Sequence, residues 1–377
     1  MQEKILIIAH LSFSGMGPYV SEIVNTLSPN DNINYFFFDM EDNFFEKNVK
    51  PELHSKSIFF KFHHGIISKA DFLLGYYSAK YRRKLLSYCV KNEITIVHFI
   101  NGCTDTKVLN KLHKKGIKTL VTVHDLHPHE QKKEFYKIWK YKVLAKQEMQ
   151  NFKICPNLLT NSRLQYEELK RMFPEKNIFF HEFPSLVSSE IKNGNEIPPE
   201  LRELQNKYIL FFGRIEEYKG IGLLFDAFCQ SSILNNKYTL VLAGKGKLPT
   251  KITDQTHNVI LINRYIADKE IAYLYRNAAA VVYPYISATQ SGVLSLACFF
   301  CTPMLVSDIP YFTSMVRQSK IAMTFKSGCI EDLTKQLKCL LNSDTLQMEK
   351  DQQVFYNKYY SNASIRNSLL NIYLNLK

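Results

Sequence analysis

The sequence predicts two α/β domains in tandem, each a doubly wound parallel sheet covered by helices. Three observations predict it. Twelve short apolar runs recur along the 377 residues, many alternating with longer stretches of helix-like composition. The runs are continuous rather than alternating, as in strands covered on both faces. A stretch rich in Pro and Ser splits them into two sets of six, and strand–helix alternation within each set implies parallel pairing.

The first set is KILIIAH (4–10), YFFFDM (35–40), ITIVHFI (94–100), KTLVTVHD (118–125), NLLTNS (157–162) and NIFFHEF (177–183). The break at 184–207 holds Pro184, Ser185, Ser188, Ser189, Gly194, Pro198 and Pro199, and reads as the interdomain linker. The second set is YILFFGRI (208–215), YTLVLAGKG (238–246), NVILINRYI (258–266), AAVVYPY (279–285), TPMLVSD (302–308) and IAMTF (321–325). No strand-like run follows Ser343. The last stretch spaces Ile365, Leu369, Leu370, Ile372 and Tyr373 as a helix would. The expected division is therefore residues 1–185, residues 186–355, and a closing helix in 356–377 that packs back on the first domain.

With 46% hydrophobic and 22% charged residues, the chain has a globular composition. It has no 18-residue uncharged apolar run, and its N-terminus lacks a signal-peptide layout, which predicts a cytoplasmic protein. Eight scattered Cys fit a reducing compartment. Cys298 and Cys301 form the one CxxC, without the second pair a zinc site needs, so they read as packed helix residues. The net charge of +13 calls for an anionic partner: nucleic acid, a membrane surface or a phosphorylated ligand.

Ligands of open α/β sheets bind outside the carboxyl ends of strands, so the residues after each run matter most. After 208–212 comes Gly213-Arg214-Ile215-Glu216-Glu217-Tyr218-Lys219-Gly220. Arg214 offers a planar fork and Lys219 a point charge, a pair suited to a diphosphate, although an isolated pair of this spacing is more often a solvated loop. Gly244-Lys245-Gly246-Lys247 is a tight turn that lets backbone approach a ligand, or an ordinary turn. In PYISATQSGVLSLA (284–297), small polar residues lead into an apolar helix whose free N–H groups and positive dipole end suit a phosphate. Capping by Thr289 or Ser291 fits the same pattern. In the first half, HLSFSGMGPY (10–19) is a loop entering a helix, without the spacing of the dinucleotide fingerprint. His124 closes a strand run and is a candidate cleft group, or a satisfied core histidine. His127, His129 and Glu130 nearby lack the spacing of a zinc set.

Together these residues resemble the family 4 glycosyltransferases, whose GT-B fold sets two Rossmann-like domains face to face across a cleft. The resemblance covers nearly the whole chain in order. It is most specific in FFGRIEEYKGIGLLFDAF and SGVLSLACFFCTPMLVSD. It implies transfer of a hexosyl-type sugar, with retention, from a nucleotide-diphosphate sugar to an acceptor hydroxyl, with no metal or other cofactor. The donor would lie mainly on the second domain and the acceptor mainly on the first. Arg214 and Lys219 match the pair that neutralises the donor diphosphate, and His124 matches a histidine beside the transferring sugar. Ser291, Gly292, Val293 and Leu294 match the turn whose backbone N–H groups contact the distal phosphate and sugar. Gly15 and Gly17 match the loop that approaches donor phosphate and acceptor, and Gly213, Gly244 and Gly246 belong to the donor side. Asn263-Arg264-Tyr265-Ile266 matches the base-binding strand end, where residue 264 is commonly Gly.

Two acidic residues that the family often carries fall here on Thr289 and Ala297. The resemblance then implies either an active branch, with neutral contacts from Thr289 or Gln290, or a degenerate protein that binds sugar nucleotides without turning them over. Residues 61–91 hold seven basic residues against one acidic, and 107–153 hold twelve against four, all in the acceptor-side domain. No recognisable nucleic-acid-binding module accompanies them, so the expectation is no nucleic acid. Interleaved with aromatics such as Tyr81, Tyr88, Trp139 and Tyr141, they suit an anionic membrane surface, with Lys137, Lys140 and Lys142 as a contact patch. The acceptor expected on this basis is a glycan or lipid-linked precursor of a surface polysaccharide (capsule, O-antigen or exopolysaccharide), met at the inner face of the cell membrane.

Overall fold

The structure is a computed structural model. It describes residues 3–10, 16–39, 43–61, 76–102, 105–124, 126, 146–250, 252, 256–288, 291–317 and 319–377. The chain divides into two compact units, Met1–Pro184 with Asn362–Lys377, and Ser185–Ser361.

In the first unit seven parallel strands form one sheet: β1 (Ile5–His10), β2 (Ile33–Asp39), β3 (Ser57–Lys61), β4 (Ile96–Phe99), β5 (Lys118–Val123), β6 (Asn157–Thr160) and β7 (Asn177–Phe180). Their spatial order is β3-β2-β1-β4-β5-β6-β7. β1 shows why the runs are continuous. Leu6 and Ile8 enter one core cluster with Phe36 and Val97, while Ile5, Ile7 and Ala9 enter another with Tyr35 and Ile96. Helix Tyr76–Lys91 presents Tyr81, Leu85 and Cys89 to the first cluster at fourfold spacing. Helix Asn362–Leu374 lays Ile365, Leu369, Ile372 and Tyr373 on the second. Arg366 of that helix ion-pairs with Asp31, Nε lying 3.0 Å from Oδ2. Burial alone would raise the Asp31 carboxyl, but Arg366 and the Ser28 N–H hold it below its ordinary value. β3 is not among the twelve apolar runs. It is a five-residue edge strand with polar ends, paired among the described strands to β2 alone.

The second unit holds six parallel strands: β8 (Tyr208–Phe212), β9 (Thr239–Ala243), β10 (Val259–Ile262), β11 (Ala278–Tyr283), β12 (Met304–Ser307) and β13 (Met323–Phe325). Their order is β10-β9-β8-β11-β12-β13. Each sheet therefore reverses its winding beside its first strand, between β1 and β4 and between β8 and β11. That reversal opens a crevice at the carboxyl ends of the strands.

Residues 185–207, expected as a linker, are packed into this unit. Ser188 Oγ donates to Asp268 at 2.8 Å, the Glu196 N–H to the Lys269 carbonyl at 3.0 Å, and Ile191 and Leu201 join the core. Helix Leu346–Tyr359 also belongs here, anchored by Gln352 Nε2 donating to the carbonyls of Thr302 and Ile321 at 2.9 and 2.8 Å. The chain thus re-enters the first unit at Asn362, not at residue 356. Cys298 is buried inside helix Val293–Phe299, and Cys301 sits in the turn beyond it. Among the described residues, no group of three His, Cys, Asp or Glu is placed to hold a metal ion, and no helix is long and apolar enough to cross a membrane.

Candidate active site

The crevice beside β8 and β11 gathers the charge predicted there. Gly213, directly after β8, takes φ +135, a region that glycine enters at little cost. A Cβ at Gly213 would lie 3.2 Å from Lys219 Nζ, 3.8 Å from Val293 Cγ1 and 4.0 Å from the Tyr285 hydroxyl. The loop after β8, the loop after β11 and the first residue of helix Val293–Phe299 therefore converge on one glycine. Gly220 (φ +66) lets the two loops touch, since a Cβ there would meet the Pro284 carbonyl oxygen at 1.9 Å.

Lys219 is only 8% exposed, its ammonium 5.5 Å from the centre of the Tyr285 ring and 5.9 Å from that of Tyr218. Burial lowers its pKa to about 8, with Arg214 adding to the fall and Glu216 opposing it. Arg214 is exposed and pairs with Glu216 at 2.5 Å. The Tyr285 hydroxyl is fully buried and makes no hydrogen bond of good geometry among the described residues. Burial raises its pKa, Ser291 being close enough to offset part of the rise. A desolvated ammonium recovers what it lost to burial by meeting an anion. Neither Tyr218 nor Tyr285 stands out in the sequence as a site residue. The only signal is their place, one beside the predicted lysine and one just past a strand end.

Other residues expected on the donor side brace this arrangement. Cβ atoms at Gly244 (φ +143) and Gly246 would lie 1.9 Å from the Gly213 carbonyl oxygen and 2.1 Å from that of Ile215. Both glycines thus admit the neighbouring β8 loop, which the Gly213 and Ile215 N–H groups tie to the Ala243 and Lys245 carbonyls at 3.0 Å. Arg264 is engaged within the fold. Its Nε and Nη2 each reach the Glu200 carboxylate at 2.8 Å, and Nη1 and Nη2 reach Glu270 at 2.8 and 2.7 Å. Tyr265 is 75% exposed, and Ile266 is buried. The Ser291 carbonyl accepts from the Tyr311 hydroxyl at 2.9 Å, Gly292 packs on Leu186, and Val293 and Leu294 are buried. Ala297 is a methyl group inside the core and offers a ribose nothing to bond. Thr289 and Gln290 lie outside the described residues.

In the first unit, His124 follows β5 with Nε2 3.0 Å from the Ile100 carbonyl and the Tyr19 ring edge-on at 4.8 Å. Gln165 grips the backbone on both sides, donating to the His124 carbonyl and accepting from the Leu126 N–H, each at 2.9 Å. The Tyr19 hydroxyl donates to Asn161 at 2.7 Å, and Asn161 donates to the His181 carbonyl at 3.0 Å. His98 is held by Thr122 and Tyr373 at 2.8 and 2.9 Å. Burial, with His181 and His124 adding to the fall, lowers His98 to about 3, and burial, opposed by the Glu182 carbonyl and helped by His124, lowers His181 to about 4. Sequence reading does not find this network, because its members are distant along the chain. Gly17 lies in the first turn of helix Met16–Thr26, where a Cβ would meet the Phe44 ring at 2.6 Å. Gly15, Asp125, His127, His129, Glu130, Lys137, Lys140 and Lys142 lie outside the described residues.

Residues 193–359 match the family model of Glycosyl transferases group 1. The matched stretch lies within the second unit. Gly213, Arg214, Lys219, Tyr285 and Val293 all fall within it. No curated protein sequence matches the chain. Solved structures share its fold over nearly the whole length. Sucrose-phosphate synthase of Thermosynechococcus elongatus is 15% identical, covering 99% of this chain and 98% of its own, with a TM-score of 0.66. Anabaena HepE in complex with UDP is 12% identical, covering 99% and 100%, with a TM-score of 0.66. The lipopolysaccharide outer core galactosyltransferase WaaB is 17% identical, covering 98% and 99%, with a TM-score of 0.63. The shared fold is GT-B, two Rossmann-like domains.

Proposed function

We propose that this GT-B protein transfers a sugar, with retention, from a nucleoside-diphosphate sugar to an acceptor hydroxyl. The observation that carries the reading is the Lys219 ammonium, stripped of water and set over Gly213 beside the start of helix Val293–Phe299. The structural neighbour HepE binds UDP, and UDP-glucose in a further structure, which supports a nucleotide-sugar donor here. In the proposed step the bond between the anomeric carbon and the diphosphate oxygen breaks while the acceptor oxygen bonds the same face of that carbon. The acceptor proton passes to the leaving phosphate. Lys219 and the exposed Arg214 stabilise the charge that develops there, without a metal ion. His124, its ring fixed by Ile100 and Tyr19, positions the sugar.

The acceptor in this proposal is a lipid-linked or polysaccharide precursor of a surface glycan, met at the cytoplasmic face of a membrane. WaaB, named for the lipopolysaccharide outer core, and the neighbour WaaG, named for lipopolysaccharide biosynthesis, support that direction. The test is a thermal-shift screen of nucleotide sugars, then product analysis with the best donor, with anomeric configuration read by NMR and chelator added in parallel. Inversion, or strict dependence on an added metal, overturns the mechanism. The buried methyl of Ala297, where the family often holds a carboxylate, favours one second reading: a sugar-nucleotide binder without turnover. Donor binding without consumption across an acceptor panel would establish it.

A further inference from the structure

We infer that the outer face shared by helices Tyr76–Lys91 and Thr106–His113 of the first unit is the surface that docks on an anionic lipid bilayer. The inference deepens the proposed membrane-held acceptor and rests on that reading for its purpose, but its geometry stands alone. With Tyr81, Leu85 and Cys89 facing the core, Arg83 and Val90 fall on the exposed side of the first helix, while Leu86 is half-buried against the core at the rim between them. In the second helix Val108, Leu109 and Leu112 are buried, which leaves Lys107 and Lys111 outside, followed by Lys114 and Lys115. The two outer faces border one groove of about 620 Å³, whose walls include Arg83, Leu86, Val90, Lys91, Lys111 and Lys115.

Neither helix contains an acidic residue. Arg82, also in the wall, is tied to Asp105 at 2.7 Å. Arg83, Lys91, Lys111 and Lys115 form no ion pair with any described carboxylate, so their charge faces outward. Val90 stands among them 57% exposed. Cations that draw a surface to phosphates, around an aliphatic side chain that can enter between headgroups, match an interfacial membrane contact. Nucleic acid would use the cations, but among the described residues the groove walls hold no aromatic ring on which a base could stack.

The test floats the full chain with vesicles of phosphatidylcholine alone or with phosphatidylglycerol added. Binding is expected only with the anionic lipid and weakens with salt. The combined variant Arg83→Gln, Lys111→Gln, Lys115→Gln should lower partitioning on the order of 100-fold, each cation near the surface contributing about fivefold. Val90→Ser should weaken the binding that survives at high salt. Lys335→Gln with Lys338→Gln, in helix Ile330–Asn342 of the other unit, should change nothing. Melting temperature and donor hydrolysis of the triple variant should match the parent, because none of its residues lies in the donor site. Parental vesicle binding by a folded triple variant overturns the inference, as does binding of single-stranded RNA or duplex DNA in place of vesicles. Vesicle binding that maps to these residues, in a protein that consumes no nucleotide sugar, upholds the docking surface and removes the proposed transfer.

Discussion

Lys219→Met separates function from stability with opposite signs. Burial takes the ammonium from its ordinary value of 10.5 to about 8. One pKa unit is worth about 1.4 kcal/mol, so keeping the charged form in the folded protein costs about 3 kcal/mol near pH 7. The unfolded chain holds this proton more tightly than the folded one. Stability contributed at this position therefore rises with pH, through the window from about 8 to 10.5. Methionine has nearly the same length and no charge to desolvate.

The variant should accordingly be more stable than the parent by about 3 kcal/mol near pH 7, and by about 1.5 kcal/mol near pH 9.5, where the parental lysine is already neutral when folded. Urea unfolding followed by circular dichroism at both pH values measures the gap. Calorimetry with the donor should show affinity reduced on the order of 100-fold, the loss of one charge-assisted contact to a diphosphate. In the parent, kcat/KM for the donor should fall as pH rises past about 8, and the profile should lose this limb in the variant. A variant less stable than the parent at both pH values, or a gap that does not narrow, would refute the claim that the Lys219 ammonium is desolvated by the fold.

Arg214→Ala removes an exposed side chain with one surface ion pair, so melting should move within about 0.5 kcal/mol. Turnover should fall on the order of 100-fold or more, with Arg214→Lys recovering only part, as steady-state kinetics will read. Gly244→Ala should cost more than about 2 kcal/mol in urea unfolding, because φ +143 and a carbonyl oxygen 1.9 Å from the new methyl leave no strain-free solution. Arg264→Leu strands the buried Glu270 carboxylate and should cost about 3 kcal/mol, part of it recovered by adding Glu270→Gln in a double-mutant cycle. Arg264 holds the Glu270 carboxyl below its ordinary value. Parental stability should thus be lost as pH falls through the carboxylate range, more steeply than in the double variant.

Local pattern made most of the fold legible. β1 and β8 are buried on both faces and read as unbroken apolar runs, whereas β3, at the sheet edge, carries polar ends and passes for loop. The break at 184–207 has the composition of a linker because Pro and Ser disfavour regular elements. Composition does not register that Ile191 and Leu201 are buried or that Ser188 is bonded 80 positions away. The same limit hid the support of His124, where Tyr19 and Asn161 meet across 142 positions. Arg264 stands in the sequence only as a residue where the resemblance commonly has Gly. Its two carboxylate partners, one of them 64 positions distant, make it a clamp within the fold.

The glycines mark the boundary most clearly. A glycine at a strand end reads equally as room for a ligand or room for a neighbour, and only what a Cβ would strike decides between them. At Gly220, Gly244 and Gly246 it strikes backbone carbonyl oxygens of the adjoining loops within 2.1 Å. At Gly213 the nearest obstacle is the tip of Lys219, at 3.2 Å. Three of these four glycines therefore close the loops onto one another, and Gly213 alone keeps its open side toward the buried cation. With an anion approaching Lys219 from that side, Gly213→Ala should weaken donor binding, and its folding cost, from the strain of φ +135 without a backbone clash, should be smaller than that of Gly244→Ala.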